Sequence, residues 1–335
     1  MIKLSTKTMA LMTLIMSTIM VLSSENWFSM WMGLEINMLS FIPLMEESKK
    51  HKSSEAKMMY FLIQSLSSIM FLFMIITNPM MMMNEMITEK ITIIMMTMSM
   101  MMKMGVAPLH MWFINIMNKI SWNNCLILMS WQKIAPMFIL SNIYNNNMII
   151  NICAIMSSMI GAIGGINQTS MQKIMAFSSV NHLGWMIICL DFDNEMWIKY
   201  LIIYSIMITM LTTMFNKNSI NFINQMNMNT KNNTEKMNIM IMFLSLGGLP
   251  PFIGFLPKWI VIQSMINEGS MTTIMILMFT SMVTLFYYMR MMSPMIMSFN
   301  TMNKWNIKNN NLKNFNMFSM TINLALPLTM IMNMI

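Results

Sequence analysis

Runs of about 20 apolar residues recur from one end of this chain to the other, and that recurrence settles its fold class. A helix of about 20 apolar residues crosses the hydrocarbon core of a bilayer. Eleven such runs are predicted, at 4–22, 27–45, 58–77, 91–113, 124–143, 148–166, 174–190, 196–215, 237–262, 270–292 and 316–335. Only 10% of the 335 residues are charged, against roughly 25% in a soluble domain, so a greasy soluble bundle is set aside. The connections are short, and the longest, the Asn-rich stretch 216–236, reads as a solvated loop. The predicted fold is an all-α membrane protein, one polytopic domain over 1–335. Lys3 runs almost directly into an apolar span, and neither a cleavage site nor an Arg-rich presequence is visible, so insertion without a removed leader is expected.

The loop charges fit this span count. With eleven spans, one side holds Lys3, Lys7, Lys49, Lys50, Lys52, Lys57, Lys119, Lys173, Lys217, Lys231, Lys236, Arg290, Lys304, Lys308 and Lys313, which is 15 of the 20 basic residues. The other side holds Lys90 and Lys199 with the acids Glu25, Glu85, Glu89, Asp191, Asp193, Glu195 and Glu268. By the positive-inside rule the N-terminus lies inside and the C-terminus outside. The sequons at Asn167 and Asn232 then fall in inner loops, where glycosylation is not expected.

Four charges remain inside spans: Glu35, Lys103, Lys133 and Lys258. A charge at a helix centre costs about 2.5–3.5 kcal/mol even on the lenient insertion scale, so such residues mark ion paths, proton relays or paired counter-ions. Snorkelling to the interface accounts for one of them, Lys258 most readily, but poorly for four. Each lysine also stands beside helix-breaking residues. Lys103 precedes Gly105 and Pro108, Lys133 precedes Pro136, and Lys258 follows Gly247-Gly248-Leu249-Pro250-Pro251 and Pro257. Interrupted helices at membrane depth are tolerated where they are buried in protein or line a wet cavity, and transporters build ion sites from them. A buried lysine with a movable acidic partner can take up or release a proton as the partner approaches or leaves. Glu35 is the acid available for that role, with Lys103 its first partner and Lys133 its second. His110, after the break at Pro108, and His182, in the seventh span, read equally as proton relays or as hydrogen-bonded packing residues. His51 lies in a charged loop and reads as solvated.

Other chemistry is not indicated. Sixty residues are Met, an apolar, helix-compatible residue that an AT-rich genome reading AUA as Met would accumulate, so no Met stripe is read as a copper or haem site. Cys125, Cys153 and Cys189 are far apart in apolar runs, without CxxC spacing. No phosphate-binding Gly-rich loop and no HExxH occurs, and the net charge of +8 reports topology rather than nucleic-acid binding. Gly161 and Gly165 form a GxxxG pair in the sixth span, a spacing that suits close helix contact.

Several strings, in order, resemble the chain 2 family of mitochondrial NADH–ubiquinone oxidoreductase, the antiporter-like membrane subunits of respiratory complex I. They are Trp31-Met32-Gly33-Leu34-Glu35-Ile36-Asn37-Met38, Glu55-Ala56 leading to Tyr60-Phe61-Leu62, Met102 to Trp112, Trp131-Gln132-Lys133-Ile134-Ala135-Pro136, Gly164 to Thr169, Lys173 to Ser179, Leu244 to Pro251 and Gly254 to Trp259. The resemblance covers nearly the whole chain. It implies two inverted repeats of helices, each with a broken helix, and eleven helices in animal members. It implies a proton path through Glu35, Lys103, Lys133 and Lys258, with His110 and His182 as relay positions, and a chain without a redox centre, metal or cofactor of its own. NADH, FMN, iron–sulfur clusters and ubiquinone would belong to partner subunits, and the partners of this chain would be other complex I subunits, especially neighbouring antiporter-like chains, with the lipids of the mitochondrial inner membrane. The inner side would be the matrix. Gln172 departs from the family pattern, where many members place arginine beside the residue matching Lys173. A stand-alone cation/proton antiporter and a structural membrane scaffold remain as alternative readings.

Overall fold

The computed structural model describes residues 2–46, 51–77, 87–143, 148–192, 195–226, 233–297 and 313–327. The Asn232 sequon and the end of the last predicted span, 328–335, lie outside them. The described residues are helical, apart from turns and one isolated bridge between Ser170 and Phe222.

Among the described residues, seven helical stretches are long and apolar enough to cross a bilayer alone: Ser5–Ser23, Lys52–Thr77, Trp122–Ile143, Met148–Ile166, Met171–Asp191, Met196–Lys217 and Met271–Met297. They coincide with seven of the eleven predicted runs. The other four fall short for separate reasons. The second run is the 18-residue helix α2 (Trp27–Leu44), long enough but made less apolar by residues such as Glu35 and Asn37. The fourth and ninth are interrupted, and only the start of the eleventh lies among the described residues, where it is a short helix.

The chain divides into two compact units, Met1–Ser157 and Ser158–Ile335. The first begins with α1 (Ile2–Ser23) and α2, which pack closely along their length. Gly33 makes that possible: a Cβ there would meet Val21 Cγ2 at 2.5 Å and the Ser17 carbonyl at 3.2 Å. Ser17 and Thr18 turn their hydroxyls back onto Leu14 and Ile15 carbonyls, which leaves no unmet donor in the seam. Then follow α3 (His51–Thr77), α4 (Ile87–Met104), α5 (Met111–Met117), α6 (Trp122–Met129) and α7 (Trp131–Ile143). Helices α3 and α7 pack on α4, and α7 also meets α1 and α2.

After α8 (Met148–Ile166), the second unit is built round α9 (Met171–Ile188), whose residues from Ile174 onward are all buried. A helix enclosed on every side is a core element. It is packed by α10 (Met196–Lys217), α12 (Phe255–Asn267) and α13 (Met271–Met297), while α11 (Asn233–Gly247) and α14 (Lys313–Asn323) complete the unit. The expected GxxxG contact is realised differently. Gly161 and Gly164 face α9, where added Cβ atoms would lie 2.6 Å from Asn181 N and 2.2 Å from the Phe177 ring. Gly165 faces Tyr287 of α13 instead, because residues three apart share a helix face as well as residues four apart.

Arg290 also departs from expectation. The helix predicted to end at 292 continues to Met297, so Arg290 is not a loop charge. Its guanidinium donates to the carbonyls of Ile166 and Gln168, closing the C-terminus of α8, where a cation is favoured by orphan carbonyls and the helix dipole. Charge-assisted bonds of this kind contribute about 1.5–3 kcal/mol each. Arg290→Met is therefore expected to lower the thermal stability of the assembled protein. An unchanged melting midpoint would show that the carbonyls find other donors.

Candidate functional site

Two interrupted helices set the geometry. Helix α4 ends at Met104 because Gly105 adopts φ +73°, and Gly105 N and Val106 N donate to Met102 O at 3.2 Å and Met101 O at 3.0 Å. This is a Schellman closure, which needs a residue tolerant of positive φ. Helix α11 ends in the same way. Gly248 has φ +78°, and Gly248 N and Leu249 N reach Ser245 O at 2.9 Å and Leu244 O at 3.2 Å. In both places the sequence Gly–x–x–Pro stops the helix inside an apolar run that would otherwise continue.

The lysines sit at these broken ends. Lys103 is in the last turn of α4. Its carbonyl, orphaned by the break, accepts from Gln64 Nε2 of α3 at 3.1 Å, while Trp112 folds back from α5 and donates to Met102 O at 3.1 Å. Lys258 lies in the first turn of α12, just past Pro257, where a missing backbone donor costs nothing. Its Nζ reaches back across the interruption to Gly247 O at 2.9 Å and lies 5.9 Å from the Trp185 ring centre. The negative end of a helix dipole suits a cation at that spot. Lys133 is placed otherwise. The irregular residue is Ser130, ahead of the lysine, whereas Pro136 stays inside α7, so the break expected at that proline is upstream of Lys133. All three lysines are buried, with 7%, 1% and 4% exposure for Lys103, Lys133 and Lys258.

In the first unit Lys103 and Lys133 line one cavity of about 20 Å³ with Asn37, Tyr60, Gln64 and Gln132. That is room for about one water molecule among polar partners. Around it the Tyr60 hydroxyl lies 3.4 Å from Gln132 Oε1, and Gln132 Nε2 donates to Asn37 Oδ1 at 2.9 Å. Glu35 stands on α2 beside this group and acts electrostatically on Lys103, though among the described residues the two make no direct ion pair. The direct pairs present, Lys57–Glu46 at 3.9 Å and Lys119–Glu55 at 2.7 Å, lie near helix ends. His110 is at the start of α5 with Nδ1 3.1 Å from Pro108 O, and is not in the cavity wall. In the second unit His182 Nδ1 is 2.8 Å from the Tyr200 hydroxyl, and its ring lies 4.8 Å from that of Tyr204.

The amides and the tyrosines were not singled out by sequence reasoning. Tyr60 and Gln64 share a face of α3 at four-residue spacing, and Gln132 adjoins Lys133, which is the signal that could have found them. Among the described residues no group of three or more His, Cys, Asp or Glu could hold a metal ion.

A helical membrane protein with buried lysines at interrupted helices has the fold of the antiporter-like membrane subunits. The family model for the NADH:quinone oxidoreductase/Mrp antiporter membrane region matches residues 24–284, and the chain belongs to that family. It is 41% identical to NADH-ubiquinone oxidoreductase chain 2 of Anopheles gambiae over 304 residues, covering 90% of this chain and 89% of the relative. With the Bos taurus chain 2 it shares 38% over 290 residues, covering 84% and 83%. In fold it is similar to a chain of respiratory complex I from Thermus thermophilus, with TM-score 0.84 at 17% identity over 96% of this chain and 77% of that one. It is also similar to a chain of the Mrp complex from a Dietzia species, with TM-score 0.74 at 16% identity over 84% and 59%.

Proposed function

We infer that this chain is a proton-translocating membrane-arm subunit of respiratory complex I in the mitochondrial inner membrane. The single observation that carries the reading is the shared polar cavity of Lys103 and Lys133, in an apolar protein where each buried charge is costly. Relatedness to chain 2 of NADH-ubiquinone oxidoreductase supplies the setting. NADH oxidation, flavin and iron–sulfur chemistry and ubiquinone reduction belong to partner subunits, and this chain assembles with other membrane-arm subunits, especially neighbouring antiporter-like chains. This chain contributes a multi-pass membrane domain, with its N-terminus on the matrix side and its C-terminus on the intermembrane-space side.

In this reading Glu35, Lys103, Lys133 and Lys258 carry the protons. Lys103 takes up a proton as Glu35 approaches. When that influence weakens, the ammonium passes its proton through the cavity water to a neutral Lys133, breaking one N–H bond and forming another. The Gln132–Asn37 pair and Tyr60 orient that water. Lys258 repeats the arrangement with the carbonyl end of α11 in place of an acid, and His110 and His182 serve as relays.

The test is Glu35→Gln in the assembled complex. Proton yield per electron in inverted inner-membrane vesicles is expected to fall while NADH oxidation by an artificial acceptor persists. A normal yield would remove Glu35 from the path. A normal yield in an assembled Lys103→Met complex would favour the scaffold reading outright.

A further inference from the structure

The second unit contains a buried polar file that the lysine row does not include. Helix α14 is amphipathic with its faces reversed. Met317, Phe318 and Leu324 are exposed at 67%, 62% and 51%, while Asn316, Ser319 and Asn323 are buried. These three stand at i, i+3 and i+7, one face of a helix, turned inward onto α11. Helix α11 answers with Glu235, Asn238 and Ser245, also on one face and all buried. A helix that hides its amides and shows its apolar side has lipid or an apolar neighbour outside and polar matter within.

The contacts between the two faces are incomplete. Asn238 Nδ2 donates to Ser319 Oγ at 2.6 Å and approaches Asn316 Oδ1 at 3.4 Å. Asn323 Nδ2 donates within its own helix to Ser319 O at 2.9 Å. The other amide atoms, Asn238 Oδ1 and Asn323 Oδ1, are fully buried and have no hydrogen-bond partner among the described residues. Interhelical amides that serve only as packing glue satisfy one another; buried acceptors left over call for water or an ion. The file also leads somewhere. The Asn323 carbonyl accepts from Ile253 N at 3.1 Å, inside the interruption that delivers Lys258 to Gly247 O. At its other end Glu235 lies near the start of α11, next to the basic loop.

We propose that the α11–α14 seam is a water-bearing entry through which protons reach Lys258, with Glu235 receiving them at its mouth and Asn238, Asn316, Ser319 and Asn323 holding the water. A proton taken up by the Glu235 carboxylate passes to the first water. Each hop breaks one O–H bond and forms the next, and the last forms an N–H bond on neutral Lys258. This deepens the reading of Lys258 as a proton carrier and rests on it.

The experiment uses the assembled complex. High-resolution electron cryomicroscopy of the wild type is expected to show ordered water on Asn238 Oδ1 and Asn323 Oδ1; a dry seam overturns the proposal whatever the variants do. Asn238→Leu and Asn323→Leu are expected to slow coupled turnover several-fold, with Asn323→Ser, which keeps a water-binding hydroxyl, largely restored. Glu235→Gln is expected to resemble the Leu variants. If Lys258→Met is defective while both Leu variants assemble and run at the wild-type rate, the seam proposal alone fails. If Lys258→Met itself pumps normally, the reading beneath it fails too. Should the Leu variants not assemble, the wild-type water decides.

Discussion

Lys133→Met is expected to leave the complex assembled and no less heat-stable, yet to slow proton transfer through this chain by on the order of 100-fold, as removal of a positioned proton carrier does. The two effects have opposite signs because they come from different properties of one side chain. Lys133 is 1% exposed, and whenever it holds the proton its buried ammonium costs at least about 2.5–3.5 kcal/mol in a bilayer. Methionine has a similar length without the charge, so it relieves that cost while filling the same space. What it removes is the titratable nitrogen of a residue that lines the cavity shared with Lys103. Lys133→Arg sharpens the comparison. Arginine keeps the charge but does not deprotonate in proteins. A purely electrostatic or packing role would be restored by Arg, whereas a proton carrier would not. Thermal melting of the purified complex and proton yield per electron together decide it. Lower stability with normal pumping in Lys133→Met would sink the proposed role.

The sequence exposed the lysines because a charge in an apolar run has no bland explanation at low charge density. It exposed the interruptions at Lys103 and Lys258 because each has a glycine where positive φ is required, followed by proline. It misplaced the one near Lys133. Pro136 has no glycine beside it, and a lone proline removes one hydrogen bond, to the Gln132 carbonyl, without ending the helix. The irregular residue is Ser130, whose hydroxyl and amide both turn to Leu126 O at 2.7 and 3.0 Å. The cavity partners were not legible. Asn37 and Gln132, or Gln64 and Lys103, are brought together across 95 and 39 positions by packing that periodicity does not reveal. Helix α14 was legible only as the start of an apolar run, because the Leu, Met and Ile residues that follow it in the sequence at 324–335 carry the hydropathy and draw attention from the inward amides. Arg290 was counted with the loop charges because it lies near the end of its predicted run, although the helix goes on to Met297.

Gly254→Ala is expected to do the most structural damage of any single methyl group added to the second unit. Gly254 closes the interruption before α12, and a Cβ there would lie 1.8 Å from Ser245 O and 2.9 Å from Met207 Sδ. The sulfur could move, but the carbonyl is backbone. Ser245 O also receives Gly248 N in the Schellman closure of α11, so pushing it away loosens that closure and shifts the neighbouring Gly247 carbonyl away from Lys258 Nζ. Overpacking of a flexible contact costs typically about 1–3 kcal/mol. Displaced backbone with a lost closure belongs at or above the upper end, about 3 kcal/mol or more, a large part of the stability of a unit this size. Gly247→Ala supplies the contrast. Its Cβ would meet nothing closer than 3.6 Å, and an alanine in a helix reduces the freedom of the unfolded chain, so it is expected to be neutral or to stabilise by about 0.4–1 kcal/mol. The two variants differ in position but not in size or polarity. Melting of the assembled complex, read beside the proton yield, is expected to separate them: Gly254→Ala lowers both and Gly247→Ala neither. Equal behaviour would mean that the interruption is not held by the contact between Gly254 and the end of α11, and that Lys258 is steadied by something else.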